Sequence, residues 1–203
     1  MTRVVAFVTQ PGPDLASMLG ALPDVALARC SGPLLRGSFG PADHVVDAVA
    51  RDPELAGDAI VRRSHEAHVF ALRPLRTAIP APELTSVVKR VLVFQVVDGT
   101  SSDVVARFER DLTRMPEHIA AIRNWSLSRV ARVAGDVPWT HAWEQEYADL
   151  ASFQEYMSSP YHWGVIEPFF DAEFPQAIVD PRLAQVFYDV ERSVLASGTG
   201  RSG

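Results

Sequence analysis

Residues 90–96, RVLVFQV, are matched near the start of the chain by residues 3–8, RVVAFV. Both are runs of β-branched and aromatic side chains, which predict strands, and phenylalanine stands at the same step in each. A turn and an amphipathic pattern follow both runs. After the later run, residues 100–103, TSSD, can cap a helix, and apolar side chains at 104, 105, 108, 112 and 115 form a helical stripe. The chain therefore predicts two copies of one unit.

The later part of each unit repeats as well. Residues 41–44, PADH, match residues 138–141, PWTH, and each opens an alternating stretch that ends at an aspartate suited to capping a helix, Asp52 or Asp149. The first unit closes with a strand, and the prolines of IPAPE at 79–83 indicate a linker. We predict a degenerate first repeat at 1–78, a linker at 79–88, a second repeat at 89–193 and a disordered tail at 194–203.

A βαββαβ unit forms a four-stranded antiparallel sheet with both helices on one face, which leaves the other face bare. A second sheet of the same kind is the simplest cover for that face. We therefore predict an α+β fold in which ferredoxin-like βαββαβ repeats form a dimeric α+β barrel as a tandem fusion. Closure of the barrel within one chain and pairing of two chains as a homodimer both remain open.

The composition restricts the partners of the protein. A formal net charge of -6 over 203 residues argues against nucleic acid, since phosphate binding needs a basic surface. Cys30 is the single cysteine, which excludes an intrachain disulfide and a thiolate metal cluster. The first apolar run breaks at residues 11–13, PGP, too early to span a membrane. We expect a cytoplasmic protein with a small-molecule substrate, no cofactor and no metal.

A helical segment in the second unit, residues 153–165, FQEYMSSPYHWGV, carries the most specific motif. It resembles the Tyr-x-x-His-Pro-x-His signature of the stress-responsive dimeric α/β-barrel family. Tyr156, Pro160 and His162 match, and Ser159 stands where the family has its first histidine. Upstream, residues 139–141, WTH, are similar to a segment of olivetolic acid cyclase, a plant member of that family. The resemblance covers the second unit, and the first unit only by topology.

The resemblance implies a pocket between helices and sheet, with His141 on the sheet side. His162 would be the general base, and Tyr156 would polarise a substrate carbonyl. Where that cyclase has a histidine in the first strand of the domain, this chain has Arg90. A guanidinium there is suited to holding a carboxylate or phenolate.

The residues themselves support the same pocket. A strand period of two places His141, Trp143 and Tyr147 on one face, toward the helices, and Glu144 and Glu146 on the other. At the start of a helical run, the helix dipole favours a neutral His162. A neutral imidazole and a phenol supply the base and the donor for proton abstraction beside a carbonyl.

Aromatic side chains are numerous enough to wall such a cavity. The candidates are Phe94, Trp125, Trp139, Trp143, Phe169, Phe170 and Phe174. They would suit an aromatic or polyketide-like substrate. The same side chains are also typical of an ordinary packed core, and a histidine facing a core is commonly structural.

The first unit lacks part of this set. His44 and His65 match His141 and His162, but Ala59 replaces Tyr156. We therefore expect a structural partner and one pocket per chain, and a residual site at His44 and His65 remains open.

Three functions fit these residues. The first is a cofactor-independent cyclase, lyase or isomerase of specialised metabolism, acting on a carbonyl or polyketide-like compound. The second is a cofactor-free monooxygenase of the antibiotic-biosynthesis type, which would take up oxygen. The third is a stress-associated, non-catalytic ligand-binding barrel, against which an apolar cavity of about 300 Å³ or more would count.

Overall fold

The computed structural model describes residues 1–136 and 138–198, and in this part of the chain eight strands form one curled antiparallel sheet. The strands are β1 Thr2–Thr9, β2 Val25–Cys30, β3 His44–Ala50, β4 Glu66–Ala78, β5 Thr85–Phe94, β6 Asn124–Ala134, β7 His141–Tyr147 and β8 Ala184–Arg192. The helices are α1 Leu15–Gly20, α2 Pro53–Val61, α3 Ser102–His118, α4 Leu150–Met157 and α5 Val194–Gly198. A π turn at His162–Ile166 and a 3-10 turn at Glu167–Phe169 follow α4.

Both halves run βαββαβ, and the sheet order is β2-β3-β1-β4-β6-β7-β5-β8. In each half the first strand lies between the third and the fourth, so the two halves share one topology. The predicted ferredoxin-like α+β barrel is confirmed. The origin of the halves as repeats of one sequence, and their limits as domains, stay predictions.

Two elements of the structure begin within the segments that were predicted as linker and tail. Strand β5 begins at Thr85, inside the predicted linker 79–88, because Thr85 already pairs with Arg192 of β8. The predicted disordered tail begins with α5, since Val194 and Leu195 are buried and donate their backbone N–H groups to Oε1 of Glu146. Residues 199–203 of that tail lie outside the described part of the chain.

The aspartates that were predicted to cap helices do so. The carboxylate of Asp52 accepts from the backbone N–H groups of Glu54 and Leu55 at the start of α2. Asp149 accepts from the N–H of Ser152 at the start of α4. These caps satisfy backbone donors that have no partner within the helix and so fix where each helix begins.

The two edge strands are linked within one chain. The loop after β2 runs alongside β8, with an N–H···O bond of 2.8 Å from Leu35 to Phe187. Phe39 and Gln185 then exchange a pair of backbone hydrogen bonds of 2.7 and 2.9 Å. The first half therefore closes onto the last strand of the second half. Pairing of two chains as a homodimer stays a prediction.

The interior of the barrel has an aromatic end and a charged end. Phe7, Phe70 and Trp139 pack edge to face with ring centroids 5.3–5.6 Å apart. Trp139 was predicted to wall the pocket, but it lies inside the barrel, because it comes before β7 begins and packs against β1 and β4 of the first half. The aromatic rings fill the space between the two halves of the sheet.

The charged end contains the side chains of Arg3, Asp47, Lys89, Glu144 and Glu146. Arg3 pairs with Asp47 and lies 2.6 Å from Glu144, while Nζ of Lys89 lies 3.0 Å from Glu144 and 3.8 Å from Glu146. Burial alone would raise the pKa of Glu144, but Arg3 and Lys89 hold it below its ordinary value. The strand face opposite the helices, on which Glu144 and Glu146 were expected, is therefore the barrel interior.

None of the helices at residues 1–136 or 138–198 is long and apolar enough to cross a membrane. In the same ranges, no three His, Cys, Asp or Glu side chains gather in a way that could hold a metal ion.

Candidate active site

A cavity of about 230 Å³ lies between the second half of the sheet and the helical segment after β7. Its polar lining consists of Arg90, Tyr156, His162, Glu167 and Gln185. The apolar lining includes Leu92, Trp143, Ile166 and Phe170, with Phe39, Trp163 and Leu183 also present. Polar groups of several kinds thus converge on one small, mainly apolar space, as is typical of ligand sites.

Tyr156 and His162 meet in this cavity because the chain turns sharply between them. Tyr156 lies in the last turn of α4, and the helix ends at Met157, three residues before Pro160. The π turn then begins at His162 and brings the imidazole back over the phenol. The two ring centroids are 4.5 Å apart with the planes at 48°, and both side chains are buried.

Arg90 reaches the same space from β5. Its Nη1 donates to Oε1 of Gln145 over 2.5 Å, and its Nε donates to Oε1 of Gln185 over 2.8 Å. Both acceptors are neutral amides. Within the residues that the structure describes, Arg90 has no ion pair with a carboxylate, although it is only 5% exposed. The charge of Arg90 acts on Glu167 in the same cavity without ion-pair contact. A buried cation that lacks a direct ion pair is costly, so an anion in the cavity would supply one.

The protonation states suit proton transfer. Burial, and then the charge of Arg90, lower the pKa of His162 to about 4, so the imidazole is neutral at pH 7. The neutral state was predicted from the helix dipole, but its cause is burial beside a cation. Burial raises the pKa of Tyr156, so its phenol keeps its proton and can donate it to a hydrogen bond.

Glu167 is a polar group of the cavity lining that was not predicted from the sequence. Its Oε2 lies 3.8 Å from Nε2 of His162, and burial raises the pKa of this carboxyl group. The other ring nitrogen of His162, Nδ1, is buried and has no hydrogen-bond partner among the described residues. A proton taken up at Nε2 would therefore be placed next to Glu167.

His141 does not reach the cavity. Its ring is fully buried and stacks on Phe94 with centroids 5.2 Å apart. Nδ1 lies 2.7 Å from Oγ1 of Thr140, and Nε2 lies 3.2 Å from Oε1 of Glu109. Both ring nitrogens are occupied, which corrects the expectation that His141 would line the pocket with Tyr156 and His162. His141 does lie on the predicted face of β7. The cavity reaches Trp143 on that face, but it does not extend two residues further back to His141.

The predicted aromatic lining is only partly present. Trp143 and Phe170 line the cavity. Trp125 instead packs on Trp143, Phe94 packs on His141, and Phe169 packs on Phe108, with centroid distances of 5.5, 5.2 and 5.0 Å. Phe174 is 43% exposed. Most of the aromatic residues therefore belong to the core.

Two further lining residues, Gln185 and Phe39, were missed. Gln185 is on the helix-facing side of β8, where it pairs with Leu92 of β5, and period-two alternation along β8 would have placed it there. Phe39 comes from the first half, and no local pattern places it in a cavity of the second. In the first half itself, His65 is exposed and Ala59 is buried in the helix-side core. The structural role of that half stays a prediction.

The fold and the cavity define a ferredoxin-like α+β barrel that fits a protein binding, or acting on, a small molecule. Residues 88–179 match the family model described as Stress responsive A/B Barrel Domain, so this domain is found in the second half of the chain. No curated protein sequence matches the chain significantly. The similarity to olivetolic acid cyclase stays a prediction.

Solved structures resemble the whole chain. An anthrone oxidase-like protein is similar with a TM-score of 0.66 and 8% identity, over 93% of this chain and 90% of that one. A putative monooxygenase from Lactobacillus acidophilus NCFM has a TM-score of 0.55 and 11% identity, over 95% and 99%. Chlorite dismutase from Candidatus Nitrospira defluvii has a TM-score of 0.56 and 10% identity, over 97% and 92%. At these identities the likeness concerns the fold alone.

Proposed function

We propose that the protein is an acid/base enzyme that removes a proton beside a carbonyl group of a small molecule. The observation that supports this is the convergence of Tyr156, His162 and Arg90 on one cavity, with a neutral imidazole, a protonated phenol and an unpaired cation. The set contains a base, a hydrogen-bond donor and a charge that complements an anion.

Each group has one role in the proposed reaction. The Tyr156 hydroxyl donates a hydrogen bond to the substrate carbonyl oxygen. His162 accepts the proton from the neighbouring carbon through Nε2, and Arg90 stabilises the negative charge of the resulting enolate. Glu167, 3.8 Å from Nε2, stabilises the imidazolium. Return of the proton from His162 to another carbon gives isomerisation. Attack of the enolate on a second carbonyl gives ring closure, and the alkoxide so formed takes the proton back from His162.

The low pKa of His162 restricts the substrate. A group with a pKa of about 4 is a weak base, so it removes only an acidic proton efficiently. The carbon between two carbonyl groups, as in a 1,3-dicarbonyl or polyketide-like compound, provides such a proton. This requirement is our reason for keeping the polyketide-like substrate in the proposal.

The cavity sets the size of that substrate. The cavity has a volume of about 230 Å³. It is below the roughly 300 Å³ expected of a site for a drug-sized ligand. We therefore propose a compound with a single ring, and a longer chain would have to extend past Phe39 and Trp163. This volume does not count against the non-catalytic ligand-binding barrel.

Deuterium exchange tests the proposal directly. Ethyl benzoylacetate, a single-ring β-keto ester, is incubated in buffered D₂O, and loss of its methylene proton signal is followed by NMR. The wild type should accelerate exchange above the buffer rate, and His162→Gln should reduce this acceleration at least about 100-fold. The control is His65→Gln, an exposed histidine of the first half. Equal rates for the wild type and His162→Gln would refute the proposal and favour a binding barrel.

A cofactor-free monooxygenase is the second candidate. The unpaired charge of Arg90 would equally hold a phenolate, and two of the structurally similar proteins are called anthrone oxidase-like and putative monooxygenase. An oxygen electrode with a single-ring dihydroxyphenol as the compound separates the two. Oxygen uptake that depends on His162 would favour oxidation, whereas exchange without uptake would favour acid/base chemistry alone.

A further inference from the structure

We propose that the loop at residues 33–40 of the first half is a working part of the pocket in the second half. In this proposal the loop orients Gln185, which in turn positions Arg90, and its Phe39 limits the size of the ligand. The first half would thus contribute to specificity and not only cover the sheet. This inference rests on the proposed function for the identity of the site.

The loop is held against β8 by regular pairing. Besides the backbone bonds from Leu35 and Phe39 to β8, the hydroxyl of Ser38 accepts from the N–H of Phe187 over 2.9 Å. The side chain of Leu35 packs against the helix-side core of the second half. A loop tied at three successive points has a defined position relative to the cavity.

Two glycines give the loop its course. Gly37 and Gly40 have φ values of +98° and +125°, a region that favours glycine. A Cβ atom added at Gly40 would lie 2.5 Å from Cβ of Ala184 and 3.3 Å from its Cα. The residue after Ala184 is Gln185, so the close approach lies next to the side chain that contacts Arg90.

The carboxamide of Gln185 connects the loop to Arg90. Its Nε2 donates to the carbonyl oxygen of Gly37 over 3.3 Å, and its Oε1 accepts from Arg90. If the amide were rotated by half a turn, its NH₂ group would face the guanidinium, and both groups are donors only at that contact. The loop carbonyl therefore favours the orientation in which the oxygen faces Arg90. Gln185 acts through Arg90 and is a positioning residue.

Phe39 stands at the opening of the cavity. It is 49% exposed although it lines the cavity, and Trp163 is exposed to the same extent. These two aromatic side chains therefore limit the size of the ligand that can enter the cavity. Removal of the Phe39 ring should widen the site without disturbing Tyr156 or His162.

Binding of simple aromatic acids tests both parts of the inference. The probes are benzoate, its neutral analogue benzamide, and 2-naphthoate. Binding is followed by the tryptophan fluorescence of the full chain, because Trp143 and Trp163 line the cavity. Gln185→Leu should weaken benzoate about tenfold and leave benzamide nearly unchanged, because only the anion depends on the position of Arg90. Phe39→Ala should improve 2-naphthoate relative to benzoate by a similar factor.

Gly40→Ala tests the position of the loop, and Gly99→Ala, outside the loop, is its matched control. Both glycines have a positive φ, at +125° and +86°, but a Cβ at Gly99 meets nothing within 4 Å. Both variants should share the cost of backbone strain, which thermal melting will report. Only Gly40→Ala should also lower the benzoate-to-benzamide affinity ratio.

The outcomes separate this inference from the proposed function. Suppose that the wild type catalyses exchange, but that the benzoate-to-benzamide affinity ratio and the naphthoate preference are unchanged in Gln185→Leu, Phe39→Ala and Gly40→Ala. The inference is then wrong and the acid/base proposal stands. If the ratio responds as expected but no exchange is catalysed, the loop forms part of a binding site and the catalytic proposal fails. Absence of both binding and exchange in the wild type overturns both.

Discussion

The guanidinium carbon of Arg90 lies 4.9 Å from the centroid of the Tyr156 ring. This cation also lowers the pKa of His162, after burial, and moderates the rise in the pKa of Tyr156 that burial causes. One residue therefore influences both groups of the proposed acid/base pair. Its own charge is held by two neutral amides, so it remains available to an anion.

The first prediction concerns the control that Arg90 has over His162. Replacement by Met removes a positive charge near the imidazole, so the pKa of His162 should rise from about 4, although burial should keep it below its ordinary 6.5. NMR titration of the His162 Cε1 proton measures this. The same variant should lose its preference for benzoate over benzamide.

Arg129 supplies the matched control. It lowers the pKa of His141, where burial is again the larger cause, and it lies on β6, away from the cavity lining. Arg129→Gln should therefore change the titration of His141 and leave His162 unchanged. A His162 titration that is the same in Arg90→Met and the wild type would contradict the proposed electrostatic coupling.

The second prediction concerns the Tyr156 hydroxyl. Tyr156→Phe keeps the ring that packs on His162 and removes only the donor, so kcat for proton exchange should fall about 100-fold while KM changes little. Steady-state rates with ethyl benzoylacetate, followed by NMR in D₂O, separate the two constants. A raised KM with an unchanged kcat would instead indicate that Tyr156 contributes only to substrate binding.

Tyr188→Phe is the control for that experiment. Tyr188 lies on the face of β8 that points into the barrel, away from the cavity lining, and its buried hydroxyl has no hydrogen-bond partner within the described ranges. Removal of an unsatisfied buried hydroxyl should leave exchange unchanged and should not lower stability.

The sequence predicted local features well. Strand alternation put Trp143 of β7 toward the helices, capping patterns located the starts of α2 and α4, and the Tyr-x-x-x-Pro-x-His spacing brought Tyr156 and His162 to one cavity. All of these depend on residues close together in the chain. Period-two alternation could not say how far along the strand the cavity extends, which is why His141 was misplaced.

Contacts between distant segments were not predicted. Glu144 is buried beside Arg3, which the first half supplies to the barrel interior from 141 residues earlier in the chain. Phe39 reaches the cavity because a loop of the first half pairs with the last strand. Neither arrangement leaves a local pattern in the sequence, since each depends on how the sheet curls.

The third prediction concerns stability at mildly acidic pH. Burial lowers the pKa values of His141 and His162 to about 4 in the folded protein, from 6.5. Between these values the unfolded chain binds protons that the folded protein does not bind. The free energy of unfolding should therefore fall as the pH decreases from 6.5 to 4, by about 1.4 kcal/mol per pH unit for each histidine.

Urea denaturation at intervals of half a pH unit measures this slope. His141→Gln and His162→Gln should each make it shallower, and His65→Gln serves as the control because that side chain is on the surface. The carboxylates of Glu144 and Glu146 have lowered pKa values, so their stabilisation is lost only below their ordinary value of 4.5. A decline in stability confined to pH values below 4.5 would contradict the assignment to the histidines.

The fourth prediction concerns Lys89 in the charged end of the barrel. Lys89 is fully buried between Glu144 and Glu146, so Lys89→Met would leave buried negative charge without part of its compensation. The free energy of unfolding should fall by about 3–5 kcal/mol, as is usual when one partner of a buried ion pair is removed.

Adding Glu146→Gln should recover part of this loss, because it removes one of the uncompensated charges, and a double-mutant cycle in urea measures the coupling. Arg114→Gln, which breaks an exposed pair with Glu117 on α3, should have no measurable effect. If Lys89→Met unfolds at the same urea concentration as Arg114→Gln, the buried carboxylates do not depend on this lysine. Arg3 then compensates Glu144, and hydrogen bonds to Ser193 and to the start of α5 satisfy Glu146.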